Sequence, residues 1–174
     1  MFFVQMPGFP GSGKSTLARQ ISRRTGAVVI DHDITKSALL NSIKKIPVNP
    51  KLAGKIGYDI DWAYVDFYLS QGHHVILDSP CLYTEMVEKG THLCAKYGAK
   101  YKYVECVLDD FDETNNRLRN RESKISQIKE IQSEEAFQST IKNSKKPQGH
   151  NCLTVDTSRP VDHYIQDVLN YISE

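Results

Sequence analysis

The chain has 174 residues, of which 40% are apolar and 25% are charged, and its formal net charge at pH 7 is +1. This length suits one domain with its own hydrophobic core. The near-neutral charge excludes a general electrostatic attraction to nucleic acid or to anionic membranes, although local basic clusters remain compatible with it.

The cysteine pattern and the lack of long apolar segments indicate the environment of the protein. The four cysteines stand far apart and form no C-x-x-C pair: Cys81, Cys94, Cys106 and Cys152. Such cysteines are typical of free thiols in a reducing compartment. No apolar stretch is long enough to span a bilayer, and the N-terminus lacks the basic region and apolar run of a signal peptide. We therefore expect a cytoplasmic protein that does not bind membranes.

The first predicted elements are a strand at residues 2–4 and a helix that ends near Gly26, a favoured C-cap. Leu17, Ala18 and Ile21 recur at helical spacing within this helix. The intervening residues, G-F-P-G-S-G-K-S at positions 8–15, fit the pattern G-x-x-x-x-G-K-[S/T] of phosphate-binding loops. Because the strand and the helix both stand where this pattern requires them, a glycine-rich turn without a ligand is disfavoured.

Each residue type in this loop has a physical role in binding the phosphates of ATP. Gly8 and Gly13 permit backbone angles that a Cβ would disfavour, so that N–H groups can surround a phosphate at the positive end of the helix. Lys14 is predicted to reach the β- and γ-phosphate oxygens, and the Ser15 hydroxyl to ligate Mg²⁺. The predicted nucleotide-binding residues here are Gly8, Phe9, Pro10, Gly11, Ser12, Gly13, Lys14, Ser15 and Thr16.

The next apolar run, at residues 27–30, predicts a second strand that is buried on both faces of a parallel sheet. Asp31, His32 and Asp33 follow it, and a helix is predicted over residues 34–43. The two aspartates alternate across the strand end, so one is expected to face magnesium and the other the phosphate acceptor. A carboxylate at Asp33 can orient an acceptor hydroxyl and take its proton, unless this residue is only the N-cap of the helix. We expect His32 to point away from the cleft and to be structural.

Residues 44–55, which are rich in proline and glycine, are predicted to form a loop that shapes a substrate site. A helix that ends near Gly72 leads to a third strand at residues 74–78. Asp78 ends this strand and is predicted to hold Mg²⁺, directly or through water, beside Ser15. The alternative is an ordinary strand-end aspartate that caps the following turn.

A further helix that ends at Gly98 and a fourth strand at residues 101–108 precede a polar segment with helical tendency at residues 110–141. We interpret much of that segment as a mobile flap. Arg117 and Arg121 share a helix face, where guanidinium groups can stack on adenine and stabilise charge on a transferring phosphoryl group. The alternative is a solvated helix whose arginines pair with acidic neighbours, and this is the interpretation we prefer for Arg119.

A fifth strand at residues 152–156 and a final helix from Pro160 complete an alternation of strands and helices that predicts a parallel sheet with helices on both faces. Ligands of such sheets bind beyond the carboxyl ends of the strands. The glycine-rich loop, the acidic residues around His32, Asp78 and the loop after Asp156 all follow strand ends, so one crevice can collect them. A GTPase is excluded because the chain has no N-K-x-D and no D-x-x-G after Asp78.

With these residues placed, the chain resembles the small P-loop kinases, which include gluconate, shikimate and adenylylsulfate kinases, chloramphenicol phosphotransferase and the 5′-polynucleotide kinase domain. It is most similar to the AAA family ATP-binding proteins of that superfamily. The similarity covers nearly the whole chain and rests on residues 6–18 and on Asp31-His32-Asp33 with Lys36, which resembles the D-x-D-x-x-R pattern of adenylylsulfate-type kinases. Lysine here stands in place of arginine, and the glycine-rich substrate motif of shikimate kinases is absent from the sequence.

The resemblance implies a three-layer α/β P-loop NTPase fold, with a five-stranded parallel sheet of order 2-3-1-4-5 and a helical lid at about 117–149, in one domain over 1–174. It implies that Asp31 lies near Mg²⁺ and that Asp33 meets the acceptor hydroxyl. It also implies that Arg117 stacks on adenine and that Arg121 is the catalytic arginine of the lid. The loop that edges the adenine would be Thr157, Ser158, Arg159 and Pro160.

These observations predict an ATP- and Mg²⁺-dependent phosphotransferase that acts on a small-molecule hydroxyl group, as a monomer or a dimer. One alternative is a 5′-hydroxyl polynucleotide or nucleoside kinase. Five lysines would then contact a phosphate backbone: Lys44, Lys45, Lys142, Lys145 and Lys146. The other is an ATP-binding regulatory module with little turnover, although a pure sensor needs no acceptor-side carboxylate.

Overall fold

The computed structural model describes residues 1–44, 46 and 49–174, and their core is a five-stranded, all-parallel sheet of order β2-β3-β1-β4-β5. The strands are β1 (Phe2–Met6), β2 (Val28–Asp31), β3 (Val75–Asp78), β4 (Lys100–Val107) and β5 (Cys152–Asp156). The helices are α1 (Lys14–Thr25), α2 (His32–Ser42), α3 (Pro50–Ser70), α4 (Thr84–Tyr97), α5 (Phe111–Asn120), α6 (Glu134–Lys142) and α7 (Ile165–Ser173). The expected strand order is therefore confirmed.

Two apolar clusters cover the two faces of the sheet. On one face Val4 and Met6 pack with side chains of α1 and α7, and on the other Phe3 packs with side chains of α3 and α4. All five residues of β1 are buried, because this central strand has neighbours on both edges and helices on both faces. The polar loop that follows β1 is thus held by a strand that is buried along its whole length.

The register of the sheet aligns the carboxyl ends of its first three strands. Asp78 at the end of β3 pairs with Met6 of β1 on one side and with Asp31 of β2 on the other. Beyond β1, Gly8 bridges to Cys106 of β4. The crevice expected at this edge of the sheet is therefore built by strand pairing.

Two expectations for β2 and for the helix that follows it were wrong. β2 is an edge strand, so Val28 and Val29 are only half-buried rather than enclosed on both faces. The following helix begins at His32 instead of Ile34, and the side chain of Asp31 caps it. An apolar run cannot distinguish an edge strand of a parallel sheet from a central one, because helices can cover both.

The proline-rich region contains more helix than expected. α3 begins at Pro50, which is a favoured first position of a helix, and the side chain of Asn49 caps it by accepting from the N–H of Lys51. The predicted loop at residues 44–55 is therefore wrong from position 50 onward. Positions 45, 47 and 48 lie outside the described residues.

The polar segment after β4 contains two helices separated by residues 121–133. Phe137 of α6 is fully buried and meets the ring of Phe9 edge to face, with 4.8 Å between ring centroids. This contact packs α6 against the glycine-rich loop. At the C-terminus a 3₁₀ turn, Val161–His163, precedes α7, so the α-helix predicted from Pro160 begins five residues later, at Ile165.

No helix in the described part of the chain combines the length and the apolar character that a membrane span requires. The four cysteines are free thiols, and all but Cys152 are buried.

The contact between α4 and the sheet generates a stability prediction. A Cβ on Gly90 would lie 2.8 Å from Cε2 of Tyr101 and 3.0 Å from Oε1 of Gln5, whereas a Cβ on Gly54 would meet nothing within 4 Å. We expect Gly90→Ala to lower the free energy of unfolding by about 1–3 kcal/mol through overpacking. Gly54→Ala is the matched control and should raise it by up to about 1 kcal/mol, because alanine favours helix. Urea unfolding measures both, and equal effects would contradict the close approach.

Candidate functional site

The glycine-rich loop lies between β1 and α1 and has a backbone that other residues would not adopt. Gly13 caps α1 with φ 83°. A Cβ on Gly8 would lie 2.5 Å from the carbonyl oxygen of Cys106 and 2.5 Å from Oγ of Ser12. Glycine is therefore required at position 8 by the close approach of β4, and at position 13 by its left-handed backbone.

Lys14 is the first residue of α1 and is only 9% exposed. Its Nζ donates hydrogen bonds to the carbonyl oxygens of Gly8, at 2.9 Å, and Phe9, at 3.0 Å. The ammonium group is therefore folded back over the loop, where the N-terminus of α1 adds positive potential. The two act together on any anion held by the loop.

Asp78 is only 4% exposed, and its Oδ2 atom has no hydrogen-bond partner among the described residues. Burial raises the pKa of Asp78 above its ordinary value, and the nearby Lys14 ammonium opposes this shift. The hydroxyls of Ser12 and Ser79 are likewise buried without a partner in the described part of the chain. Buried polar groups normally have partners, so these atoms fit a polar ligand between the loop and β3.

The acidic residues also fit a magnesium ion that is shared with a nucleotide. No group of three or more His, Cys, Asp and Glu side chains among the described residues is arranged as a metal centre. Magnesium does not need such a cage, because it usually takes one or two protein oxygens together with phosphates and water. Ser15 and Asp78 are oxygen donors of this kind, beside Lys14.

Asp31 and Asp33 have different partners. Oδ1 of Asp31 accepts from the N–H groups of Asp33, at 2.9 Å, and of Ile34, at 3.3 Å, so Asp31 is the cap of α2. The alternative in which Asp33 is the N-cap is therefore wrong, since the helix begins two residues earlier than expected.

The carboxylate of Asp33 is bound by the segment between α5 and α6. Nε2 of Gln127 donates to Oδ2 of Asp33 at 2.7 Å, and Oγ of Ser126 donates to Oδ1 at 3.2 Å. Ser126 also hydrogen-bonds Oγ of Ser37 on α2 at 2.8 Å. These three contacts join the predicted lid to α2, and neither Ser126 nor Gln127 was identified from the sequence.

Arg121 lies directly after α5, and its Nη2 donates to the carbonyl oxygen of Ile128 at 2.9 Å. Its buried Nε has no partner in the part of the chain that the structure describes. Burial lowers the pKa of Arg121, and the negative charge of Asp33 opposes this shift. The guanidinium thus lies near the carboxylate without being bonded to it.

Arg117 bridges two parts of the chain. Its Nε lies 2.7 Å from Oε1 of Glu113, as the solvated-helix alternative expects, and its Nη2 also donates to the carbonyl oxygen of Thr157 at 3.1 Å. The second contact ties α5 to the loop after β5. Arg119 is exposed and lies 3.5 Å from Glu130, in agreement with the solvated interpretation.

A cavity of about 1400 Å³ joins most of these groups. It is lined by positions 10, 11 and 13–16 of the loop and by Asp33, Asp78, Arg117 and Arg121. Ligand pockets typically measure about 300–1,000 Å³, so there is room here for two ligands side by side. The remaining predicted positions, Gly8, Phe9, Ser12, Asp31, Ser158, Arg159 and Pro160, do not line it.

His32 has a partner that the sequence did not reveal. Its Nδ1 lies 2.6 Å from Oδ2 of the buried Asp61, its ring stacks on Tyr58, and it lines the cavity. The expectation that His32 points away from the cleft is therefore wrong. Tyr58, Asp61 and Trp62 lie within the helix that the sequence predicted, but nothing in the sequence links that helix to a histidine 29 positions before Asp61.

Comparisons with known proteins show what the chain and its fold are similar to. The family described as AAA domain, AAA_33, matches residues 3–144, and no curated protein matches the chain. A sugar kinase from Janibacter sp. HTCC2649 superposes with a TM-score of 0.69 at 16% identity, covering 99% of this chain and 95% of the other. A gluconokinase from Sinorhizobium meliloti 1021 has a TM-score of 0.64 at 16% identity, with 99% and 91% covered.

A third similar structure is Chaetomium thermophilum Kti12 in complex with ADP-AlF3, with a TM-score of 0.64, 15% identity, and 99% and 100% of the two chains covered. At these identities the likeness concerns the fold alone. The chain therefore has the P-loop NTPase fold, as the loop at residues 8–15 indicated.

The burial of Asp78 predicts the sign of a stability change. A carboxyl group whose folded pKa is raised stabilises the protein below its unfolded pKa, about 4, and that contribution is lost as pH rises through the folded pKa. We therefore expect Asp78→Asn to raise the melting temperature at pH 7, and the difference to shrink near pH 4.

Asp66→Asn is the matched control with the opposite sign. Hydrogen bonds from Lys96 and Tyr97 lower the pKa of Asp66, so its contribution is present at pH 7 and is lost as pH falls. This variant should melt at a lower temperature than the wild type at pH 7. A decrease of the same size in Asp78→Asn would contradict the unpartnered carboxylate.

Proposed function

We propose a phosphotransfer function for this chain, which belongs to the AAA domain family AAA_33. In this proposal the protein transfers the γ-phosphate of ATP to a hydroxyl group of a small molecule. The observation that carries the proposal is one cavity whose lining brings Lys14 and Asp78 together with Asp33 and Arg121. Phosphoryl transfer depends mostly on positioning and on neutralised charge, and these groups suit both.

The nucleotide half would be formed by the glycine-rich loop and its surroundings. Lys14 would exchange its two carbonyl partners for phosphate oxygens, and the N–H groups at the start of α1 would surround the same anion. Arg117, with the loop of Ser158, Arg159 and Pro160, would hold the adenine. The contact of Arg117 with the carbonyl oxygen of Thr157 supports this, because it fixes the arginine beside that loop.

Ser15, Asp78 and Asp31 would hold Mg²⁺, which when bound neutralises phosphate charge. Ser15 and Asp78 would provide direct or water-mediated oxygen contacts. Asp31 is the register partner of Asp78 on the adjacent strand, and its capping role at α2 fixes its position there.

The acceptor half would depend on Asp33 and Arg121. Asp33 would accept a hydrogen bond from the acceptor hydroxyl and take its proton as the phosphorus–oxygen bond forms. Arg121 would stabilise negative charge on the transferred group. The unbonded Nε of Arg121, close to Asp33 but not paired with it, supports this role.

The lid would act on this half of the cleft. Ser126 and Gln127 each donate to one oxygen of Asp33, so an acceptor hydroxyl would share or replace these hydrogen bonds, because each carboxylate oxygen has two lone pairs. The lid was expected at about 117–149, but Phe137 holds α6 in the core. We therefore propose that the moving part lies between α5 and α6.

The two other functions receive less support. Of the lysines expected for a polynucleotide kinase, Lys146 is paired with Glu105 at 2.6 Å and none lines the cavity, while Lys45 lies outside the described residues. The regulatory module remains an outcome of the test below. We also propose a monomer or dimer in the cytoplasm, which the four free thiols support.

The first test of the function follows γ-labelled ATP with Mg²⁺ in a metabolite extract and, in parallel, with 5′-hydroxyl oligonucleotides. We expect label in a small metabolite. Lys14→Ala should reduce transfer by about 10²-fold or more, because it removes the ammonium group nearest the loop. Arg119→Ala should leave transfer unchanged, since that side chain is exposed and paired with Glu130. Label on the oligonucleotide, or only in free phosphate, would contradict the proposal in favour of one alternative or the other.

A second test separates the acceptor side from the nucleotide side. Asp33→Asn keeps an oxygen and an amide that can still meet Gln127, but it cannot take a proton. We expect the kcat for transfer to fall about 10²-fold or more, while the Kd for ATP stays within about two-fold. Parallel loss of ATP binding would instead mean that Asp33 only holds the fold together.

A further inference from the structure

The ring of His32 is held on three sides by α3. Its Nδ1 lies 2.6 Å from Oδ2 of Asp61, and its face stacks on Tyr58 with 3.8 Å between centroids and 10° between planes. At its edge a Cβ on Gly57 would lie only 3.1 Å from Cε1 of His32. The position and the orientation of the imidazole are therefore fixed before any ligand binds.

This arrangement includes an energetically unfavourable group. Asp61 is fully buried, and its Oδ1 has no hydrogen-bond partner among the residues that the structure describes. A buried carboxylate with a single partner is costly, and an apolar pair would pack α2 against α3 at least as well. The pair therefore calls for an explanation other than packing.

The second nitrogen of the ring has no protein partner in the described part of the chain. Nε2 of His32 makes no hydrogen bond there, and the residue, although only 6% exposed, lines the same cavity as Asp33. An ionised carboxylate only accepts hydrogen bonds, so Nδ1 carries the hydrogen that Asp61 receives. In the neutral imidazole Nε2 is then an acceptor.

We propose that Nε2 of His32 binds the phosphate acceptor by receiving a hydrogen bond from a second hydroxyl or amine group, close to the hydroxyl that meets Asp33. This deepens the proposed function and rests on it. Asp61 is a positioning residue, which fixes the ring and its tautomer. The substrate class is a small molecule with at least two neighbouring hydrogen-bond donors.

The aromatic wall of the same half-cavity suits such a ligand. Tyr58 and Trp62 of α3 line the cavity one helical turn apart, and Tyr83 lines it from the start of α4. Their apolar faces can cover the carbon skeleton of a small polar molecule, while His32 and Asp33 accept hydrogen bonds from its donor groups. Trp62 is the one tryptophan of the chain, so its fluorescence reports binding in this half.

The test compares the acceptor found by labelling with an analogue in which the neighbouring hydroxyl or amine is replaced by hydrogen. We expect the wild type to prefer the parent compound by about 10-fold or more in kcat/KM, because the analogue would leave Nε2 of His32 without a hydrogen-bond partner. In the double variant His32→Phe/Asp61→Leu this preference should be lost, while the KM for ATP stays within about two-fold. The apolar pair avoids leaving Asp61 buried alone.

Asp61→Asn provides a subtler change. Its amide can donate to Nδ1 of His32, which moves the ring hydrogen to Nε2 and turns an acceptor into a donor. We expect the acceptor KM to rise about 10-fold with little change for ATP, and ¹⁵N chemical shifts of the imidazole to report the changed tautomer. Asp66→Asn on the same helix is the control and lies outside the cavity.

The outcomes distinguish the role of His32 from the proposed phosphotransferase function. Transfer by the wild type with equal use of the parent and the analogue overturns the role of His32 and leaves the phosphotransferase intact. Variants that melt at lower temperature but keep the preference make the pair purely structural. Absence of transfer from the wild type to any acceptor overturns both, while Trp62 fluorescence and the ¹⁵N shifts still show whether the cleft and the pair exist.

Discussion

The enclosure of β1 is the constraint on which the rest of the structure depends. This strand is paired on both edges and covered on both faces. The polar residues that follow it therefore lie beyond its carboxyl end, in the glycine-rich loop. The same pairing puts Asp78 beside Met6, and β2 then adds Asp31 at the same level. The loop that carries Lys14, as well as Asp78 and Asp31, is positioned by this row of backbone hydrogen bonds.

Most of the fold could be predicted from the sequence, because each strand is a short apolar run and each helix carries an apolar face. The glycine-rich loop was equally readable, since Gly8 and Gly13 occur where a strand meets a helix. What the sequence could not show was the environment of these elements. Val28 and Val29 have the apolar character of a central strand. Their place at the edge of the sheet depends on pairing with residues more than forty positions away, which a local pattern cannot show.

The candidate site was predictable on its nucleotide side and less so on its acceptor side. Loop residues such as Lys14 and Ser15 are adjacent in the chain, so one local pattern contains them. The acceptor side joins the start of α2 to α3 and to the segment after α5, through contacts such as His32 with Asp61 and Asp33 with Gln127. The sequence predicted a helix over Tyr58 and Asp61, but no local pattern indicates that these residues meet a histidine at the start of α2.

The hydrogen bonds from Ser126 and Gln127 to Asp33 affect how readily water would compete with the acceptor in the proposed reaction. A carboxylate that is free in a wet cleft can orient a water molecule as readily as an alcohol, and ATP would then be hydrolysed to no purpose. In this structure both oxygens of Asp33 are engaged by the protein itself. In the proposed reaction a water molecule would compete for Asp33 with two donors that the chain already supplies, whereas a larger acceptor would add contacts with the rest of the cleft. Under the proposed function, the segment between α5 and α6 would thus disfavour hydrolysis of the nucleotide while no acceptor is present.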